Sequence, residues 1–247
     1  MNLNRAFYQT FAAPFAATRG QVQPGARRLL ERIPPEAAVA DLGCGNGNAA
    51  GWLAAHGHRG RYLGLDLSPE LLEIARSGNY PFPADFQPAD FMQEGWARSL
   101  VEGSFDFVLA FAVLHHIPGE PGRLAFLGAS RKLLAPGGAL FLSNWQFLRS
   151  AKLRKRIVAW SEIGLNDSDA DEGDYLLDWR RDGRGLRYVH ALGTQERLNL
   201  ATPTGFAETD YFESDGEGGK LADYAVWTLI PPPPNPPPFA SLKGKGK

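Results

Sequence analysis

The segment Asp41-Leu42-Gly43-Cys44-Gly45-Asn46-Gly47 constrains this chain more than any other. It follows a short apolar run, Ala38–Leu42, and precedes a helix-like stretch, Asn48–His56. A strand that turns at once into a helix needs backbone conformations that glycine adopts at least cost, and glycine also lets the main chain approach a ligand closely. The alternating glycines therefore predict a βα turn that carries a binding loop.

The rest of the chain repeats that alternation. Strands are expected at 38–42, 61–66, 84–89, 105–111 and 139–144. Helices are expected at 48–56, at 70–76 behind a Ser68 cap with Pro69 in the first helical position, and at 121–134 before Pro136-Gly137-Gly138. This order predicts an α/β, Rossmann-like, doubly wound sheet with helices on both faces. The last third alternates differently. Phe206–Glu213 and Leu221–Ile230 have strand periodicity and flank the turn-rich Ser214–Gly219, which predicts a C-terminal antiparallel hairpin.

Three domain segments follow from this reading. Residues 1–35 are expected to form an N-terminal helical segment over the site at the binding loop. Residues 36–230 form the catalytic domain, with 146–200 as a substrate-side insertion. Residues 231–247, nearly all proline and then alternating Lys and Gly, are expected to be a disordered or extended tail.

The loop chemistry narrows the ligand. A dinucleotide fingerprint requires G-x-G-x-x-G, and here Asn48 occupies the third glycine position. Asp41 precedes the first glycine, where a carboxylate can hold an ammonium group. Asp66 ends the second strand, where it can take both hydroxyls of a ribose. Asp90 follows the third strand, positioned to accept from an adenine amino group with Phe91 beside the ring. Ammonium, ribose and adenine would be met together in S-adenosylmethionine, which carries no phosphate. The ribose contact is shared with NAD enzymes, so Asp66 alone does not choose between the cofactors. Cys44 reads as a small buried filler.

Composition sets outer bounds. The net charge of −1 counts against wrapping long duplex nucleic acid but not against reading a short loop. The single cysteine excludes an intrachain disulfide and a cysteine-based zinc site. No apolar run approaches the roughly 20 residues of a membrane span. Met1–Arg5 leads into no apolar core of signal-peptide type, so a soluble, cytoplasmic protein without membrane partners is expected.

The pattern D-x-G-x-G-x-G, then Asp66-Leu67-Ser68, Ser104–Val108 and Leu134-Ala135-Pro136-Gly137-Gly138 resembles the class I S-adenosylmethionine-dependent methyltransferases across about residues 36–145. The resemblance implies a seven-stranded, mostly parallel sheet ending in an antiparallel hairpin. A narrower resemblance covers most of the chain. Tyr8-x-x-Phe11-Ala12-x-x-Phe15-x-x-Thr18-Arg19, Ala112-Val113-Leu114-His115-His116, Asp174–Trp179 and Arg187-Tyr188-Val189-His190 are similar to elements of the methyltransferases acting on wobble uridines of tRNA. Asp178 stands where that family has Pro, and Val189 where it often has Tyr. Eukaryotic members methylate the carboxylate of a 5-carboxymethyluridine, usually with a small zinc-protein helper.

Carried over position by position, the resemblance implies that Arg19 meets the cofactor carboxylate. Asp41, Gly43, Cys44, Gly45, Asp66 and Leu67 would hold its methionine and ribose parts, and Asp90 and Phe91 its adenine. Ala110, Phe111 and His115 would line the methyl-transfer face. Arg187, Tyr188 and His190 would face the acceptor, with Arg180 in the adjoining basic cluster.

Methyl transfer is an in-line displacement that needs alignment more than acid–base help, and no metal. His115 and His190 are the candidate bases for a hydroxyl or amine acceptor. A carboxylate acceptor is already anionic and needs none. The basic run Arg149–Arg156 and the cluster Arg180–Arg187 offer contacts to an anticodon loop, with Trp179 or Tyr188 as stacking surfaces. The acidic stretch 162–178 between them would screen these runs or form a mobile lid. Two other readings stay open: a small-molecule O- or N-methyltransferase, and a non-catalytic paralogue that binds S-adenosylmethionine or RNA.

Overall fold

The computed structural model describes residues 3–17, 20–181 and 183–231. Arg19 and the tail at 232–247 lie outside the described residues.

Seven strands make the main sheet: β1 (Val39–Leu42), β2 (Tyr62–Asp66), β3 (Ala84–Pro88), β4 (Phe105–Phe111), β5 (Leu134–Trp145), and, after three strands of a second sheet, β9 (Phe206–Ser214) and β10 (Ala222–Leu229). Their order is β3-β2-β1-β4-β5-β10-β9. β1 to β5 are mutually parallel, while β10 runs antiparallel between β5 and β9. The order reverses between β1 and β4, so the loops leaving these strands part there and open a crevice at their carboxyl ends.

Side-chain alternation explains why helices cover both faces. Ala40, Val108, Leu140 and Trp227 bury one face with Phe126 and Leu127. Their neighbours Val39, Leu109, Phe141 and Val226 bury the other with Leu29, Leu53 and Leu72. The helices supplying those residues are α2 (Pro24–Leu30), α3 (Asn48–Ala55), α4 (Pro69–Arg76) and α5 (Glu120–Leu133), all preceded by α1 (Leu3–Ala17). Ser68 caps α4 by accepting the Leu71 amide at 3.3 Å. α1 is kinked at Phe11, where φ is −115° and ψ 18°. Pro14, one turn later, lacks the amide that would continue the ladder.

A second, three-stranded antiparallel sheet was not foreseen. It consists of β6 (Ile157–Val158), β7 (Asp174–Trp179) and β8 (Gly185–His190), with β7 in the centre. The short α6 (Ala151–Arg154) leads into it and α7 (Thr194–Ala201) leads out. Trp179 packs on Phe7 and Phe11 of α1. The acidic stretch 162–178 is built into two short 3-10 turns and β7. Trp179 is buried, so it offers a solvent-borne base no stacking face. No helix among the described residues is long and apolar enough to cross a membrane.

A buried charged network ties this sheet to the main domain. His190 contacts Asp174 at 2.6 Å through Nδ1 and Glu196 at 2.8 Å through Nε2. Glu196 also meets the buried Arg123 of α5 at 2.9 Å. Burial alone would lower the His190 pKa, but its two carboxylate partners outweigh that and raise it. Burial likewise opposes ionisation of Asp174 and Glu196, yet His190 holds both below their ordinary values. The carboxylates contribute stability that is lost as pH falls below about 4. The imidazolium contributes stability that is lost as pH rises through its raised pKa, above about 6.5. His190→Gln should therefore cost about 1–3 kcal/mol, a fall of roughly 3–10 °C in Tm. The deficit should be largest near pH 5–6 in thermal melts taken across pH.

Candidate active site

The crevice at the β1/β4 switch is one cavity of about 800 Å³, within the range of small-molecule and cofactor sites. Its floor is the glycine loop. Gly43 and Cys44 both donate to the Leu65 carbonyl of β2, at 2.7 and 3.0 Å. Gly43 has φ +80°, and an added Cβ would fall 2.4 Å from the Val113 side chain. Gly45 has φ +53°, with no atom within 4 Å of an added Cβ. One glycine is thus required by packing, and the other keeps the wall clear where a ligand approaches.

Asp66 pins this loop. Its Oδ2 accepts the Gly45 amide at 2.8 Å and its Oδ1 the Ser68 amide at 2.9 Å. A carboxylate has about four acceptor positions, so capacity remains for a diol. Burial raises the Asp66 pKa, and the backbone amides of Ser68, Gly45 and Leu67 oppose that rise. Asp41, at the end of β1, accepts the Tyr62 hydroxyl. Burial lifts the Asp41 carboxyl to about 7, against the Tyr62 hydrogen bond and with a further push from Asp66. Asp90 accepts the Met92 amide at 3.0 Å and is ion-paired with Arg5 of α1. Cys44 is buried, and burial together with Asp41 and Asp66 drives its thiol pKa upward, so it is an inert filler of the loop.

The β8 side of the cavity has a different character. Arg187 is 7% exposed and lines it. Its guanidinium carbon lies 4.8 Å from the Trp145 ring centroid, 5.5 Å from that of Phe7 and 5.9 Å from that of Trp179. His115 is buried and accepts the Trp145 amide at its Nδ1, at 3.3 Å. In the neutral ring, the proton then sits on Nε2. Asp41, Asp66 and Asp90 come from the β1, β2 and β3 side of the cavity, with Arg5 paired to Asp90. Arg187 comes from β8 and stands among aromatic rings. A fourth lining carboxylate, Asp215, is engaged by the Gly25 amide and the Tyr224 hydroxyl.

Most expected site residues meet in this cavity. Asp41, Gly43, Cys44, Gly45, Asp66, Leu67, Asp90, Phe91, Phe111, His115, Arg187 and Tyr188 all line it. Ala110 is fully buried within β4 and does not. His190 is held between Asp174 and Glu196, away from the wall. Arg180 lies on the outer surface, ion-paired with Asp178. The Tyr188 hydroxyl donates to Asp174 at 2.6 Å, so its polar tip is engaged in that buried network.

Asn4, Arg5 and Trp145, which sequence reasoning passed over, also line the cavity, as do Tyr8 and Ala112, which it quoted only as motif positions without a site role. Ala112 has φ +57°, a conformation unfavourable for a residue with a Cβ. Its amide is fixed by the Ser143 carbonyl and hydroxyl, both at 3.0 Å. Such strain is concentrated at functional sites, and a bare alanine in sequence gives no sign of it.

S-adenosylmethionine fits these residues. It is a cation, and Asp41, Asp66 and Asp90 line the cavity as acceptors that would suit an ammonium, a diol and an adenine amino group. Among the described residues that line the cavity, the arginine and lysine side chains are Arg5, paired with Asp90, and Arg187, which comes from β8. Two outcomes follow. Asp66→Ala removes the acceptor of the Gly45 amide and should weaken S-adenosylmethionine binding at least tenfold, about 1.4 kcal/mol, by calorimetry. Binding a cation beside Asp41 favours the ionised carboxylate. Affinity should then fall as pH drops through 7, with proton release on binding in buffers of different ionisation enthalpy. The sign for folding is opposite. The Asp41 pKa is raised from 3.8, so the cofactor-free protein loses stability as pH climbs from about 4 to 7.

Comparison with known proteins agrees with this geometry. Residues 39–138 match the methyltransferase domain family. An Encephalitozoon cuniculi protein named as a methyltransferase is 30% identical over 208 residues, covering 83% of this chain and 87% of that protein. The tRNA (carboxymethyluridine(34)-5-O)-methyltransferase ALKBH8 of Macaca fascicularis is 32% identical over 139 residues, which is 56% of this chain but 19% of that much longer protein. A Haloferax volcanii methyltransferase, solved in complex with the Trm112 methyltransferase activator, superposes with a TM-score of 0.62 at 18% identity, covering 92% of this chain and 97% of that one. The chain therefore belongs to the class I S-adenosylmethionine-dependent methyltransferases.

Proposed function

We propose that this methyltransferase esterifies the carboxylate of a 5-carboxymethyl-type uridine at the wobble position of tRNA. The observation that carries this reading is the buried Arg187 on the β8 side of the cavity. A guanidinium there is matched to an anionic acceptor and repels a cationic one. The flanking Trp145 ring offers an apolar wall beside it.

The histidines support the same reading. With its Nδ1 lone pair occupied by the Trp145 amide, His115 presents a donor and not a base. His190 is outside the cavity. An amine or hydroxyl acceptor would need a proton removed, whereas a carboxylate attacks directly. S-adenosylmethionine supplies a methyl group already activated by its sulfonium. The chain's own work is to hold the two partners in line and exclude water.

Residues 146–200 are read as the acceptor-side segment, since they bring Leu153, Arg187 and Tyr188 to the cavity wall. Lys152 and Lys155 are exposed beside Leu153 and suit the phosphates of an anticodon loop. The relatives named for carboxymethyluridine methylation agree with this acceptor. The Haloferax complex supports a helper of the Trm112 kind as a second partner.

The test is transfer of tritiated methyl to tRNA bearing 5-carboxymethyluridine, with and without such a helper. Arg187→Ala should lower kcat/KM at least 100-fold, about 2.7 kcal/mol, and leave S-adenosylmethionine affinity within threefold. Failure of the parent protein to methylate that tRNA under either condition overturns the reading.

A further inference from the structure

The first turns of α1 send three polar side chains toward the cavity, and they serve its two sides separately. Arg5 reaches Asp90 on the carboxylate side. Asn4 and Tyr8, one turn apart, reach the side that holds Arg187. Asn4 Nδ2 donates to the Tyr188 carbonyl at 3.1 Å, and Asn4 Oδ1 accepts the Tyr188 amide at 2.9 Å. Tyr188 pairs with Leu176 of β7, and among the described residues β8 has no strand on its other side. The Asn4 amide thus does for Tyr188 what a neighbouring strand would do. α1 also packs closely on the start of β8, where a Cβ on Gly185 would lie 2.4 Å from the Phe11 ring.

The Tyr8 hydroxyl lies 3.1 Å from His116 Nε2, and His116 Nδ1 lies 3.1 Å from the same Tyr188 carbonyl. A carbonyl only accepts, so Nδ1 carries the proton and Nε2 accepts from Tyr8. Asn4 Nδ2 also lies 3.4 Å from Nδ1. That longer approach is then between two donors, and the shorter carbonyl contacts of both groups decide the assignment. Tyr188, the residue next to Arg187, is therefore held at its carbonyl by two donors and at its amide by one acceptor.

We propose that Asn4 and Tyr8 are positioning residues for the methyl acceptor: Asn4 fixes the main chain beside Arg187, and Tyr8 locks His116 in the tautomer that completes the hold. The N-terminal helix is then part of the acceptor site as well as a cover over the cofactor. The acceptor half of this inference rests on the proposed function, while the division of α1 between two sides does not.

Three variants test it: Asn4→Ala, Arg5→Ala, and Tyr8→Phe, which keeps the ring against Phe7. S-adenosylmethionine is titrated into each by calorimetry, methylation kinetics are taken with tRNA bearing 5-carboxymethyluridine, and the His116 ring nitrogens are followed by ¹⁵N NMR. Asn4→Ala and Tyr8→Phe should bind S-adenosylmethionine within threefold of the parent. Both should raise KM for the tRNA more than they lower kcat, with kcat/KM down at least tenfold. The Nδ1–H tautomer of His116, dominant in the parent, should give way to a mixture in both. Arg5→Ala should change cofactor affinity by more than threefold with the His116 spectrum unchanged. If Asn4→Ala weakens cofactor binding as much as Arg5→Ala does, α1 acts as a single lid and the inference is overturned. It is equally overturned if the acceptor kinetics or the His116 tautomer do not respond. If the parent protein does not methylate this tRNA, the proposed function falls, and the cofactor titrations and His116 spectra alone then decide whether α1 is divided.

Discussion

The Asp66 carboxylate is the contact on which the rest of the cavity depends. It closes β2, takes the Gly45 amide from the loop after β1, and takes the Ser68 amide at the cap of α4. The Leu65 carbonyl of β2 already takes the Gly43 and Cys44 amides, but it does not reach the turn that follows β2. A single side chain that accepts from both loops ties the loop floor to the neighbouring βα turn. Its position at the carboxyl end of β2 also puts it where the sheet order opens a crevice. The residue that builds the loop is therefore the one best placed to feel a ribose bound on it.

This construction has an electrostatic cost. Asp41 is buried and Asp66 half-buried beside it, and Asp66 raises the energy of ionising Asp41. Burial above all sets this tension and lifts the Asp41 pKa to about 7, with a smaller push from Asp66. A cation bound alongside relieves it, so part of the affinity for the sulfonium cofactor comes from a destabilised free state. A ligand that binds only the folded protein also stabilises it by mass action. Cofactor binding and folding are thus coupled through the same carboxylates.

The sheet was largely legible in the sequence because two periodicities speak for it directly. Apolar runs such as Phe105–Phe111 are buried on both faces of a parallel sheet, and the helix starts are marked by Ser68-Pro69 and Glu120-Pro121. The cofactor loop was legible because glycine spacing has few alternative causes. The second sheet was not. β6 has only two residues, and β7 and β8 mix charge with apolar residues because part of each strand faces a buried ionic network. His190 was expected to face the acceptor. Sequence could not show that Asp174, sixteen residues away, and Glu196 would enclose it. The contribution of α1 was hidden for a related reason. Asn4 and Tyr188 are separated by 184 residues, and nothing local in Asn4-Arg5-Ala6-Phe7-Tyr8 distinguishes a cavity wall from an ordinary amphipathic helix.

The charge distribution bears on how one cavity can serve two dissimilar partners. On the proposed function the cofactor is cationic and the acceptor anionic; the two attract each other, but in bulk water that attraction is weak. The carboxylates on the β1, β2 and β3 side, and Arg187 from β8, would then assign each partner a place before they meet. Apolar walls of the cavity, from Phe111 and Trp145 among others, lower the local dielectric and strengthen both interactions. The same walls make misplacement costly, since an anion beside those carboxylates or a cation beside Arg187 would be desolvated against like charge. Specificity in this arrangement comes as much from that repulsion as from attraction. It holds only while Arg187 stays fixed, and the main-chain hold on Tyr188 next to it therefore matters to chemistry that neither Asn4 nor Tyr8 performs.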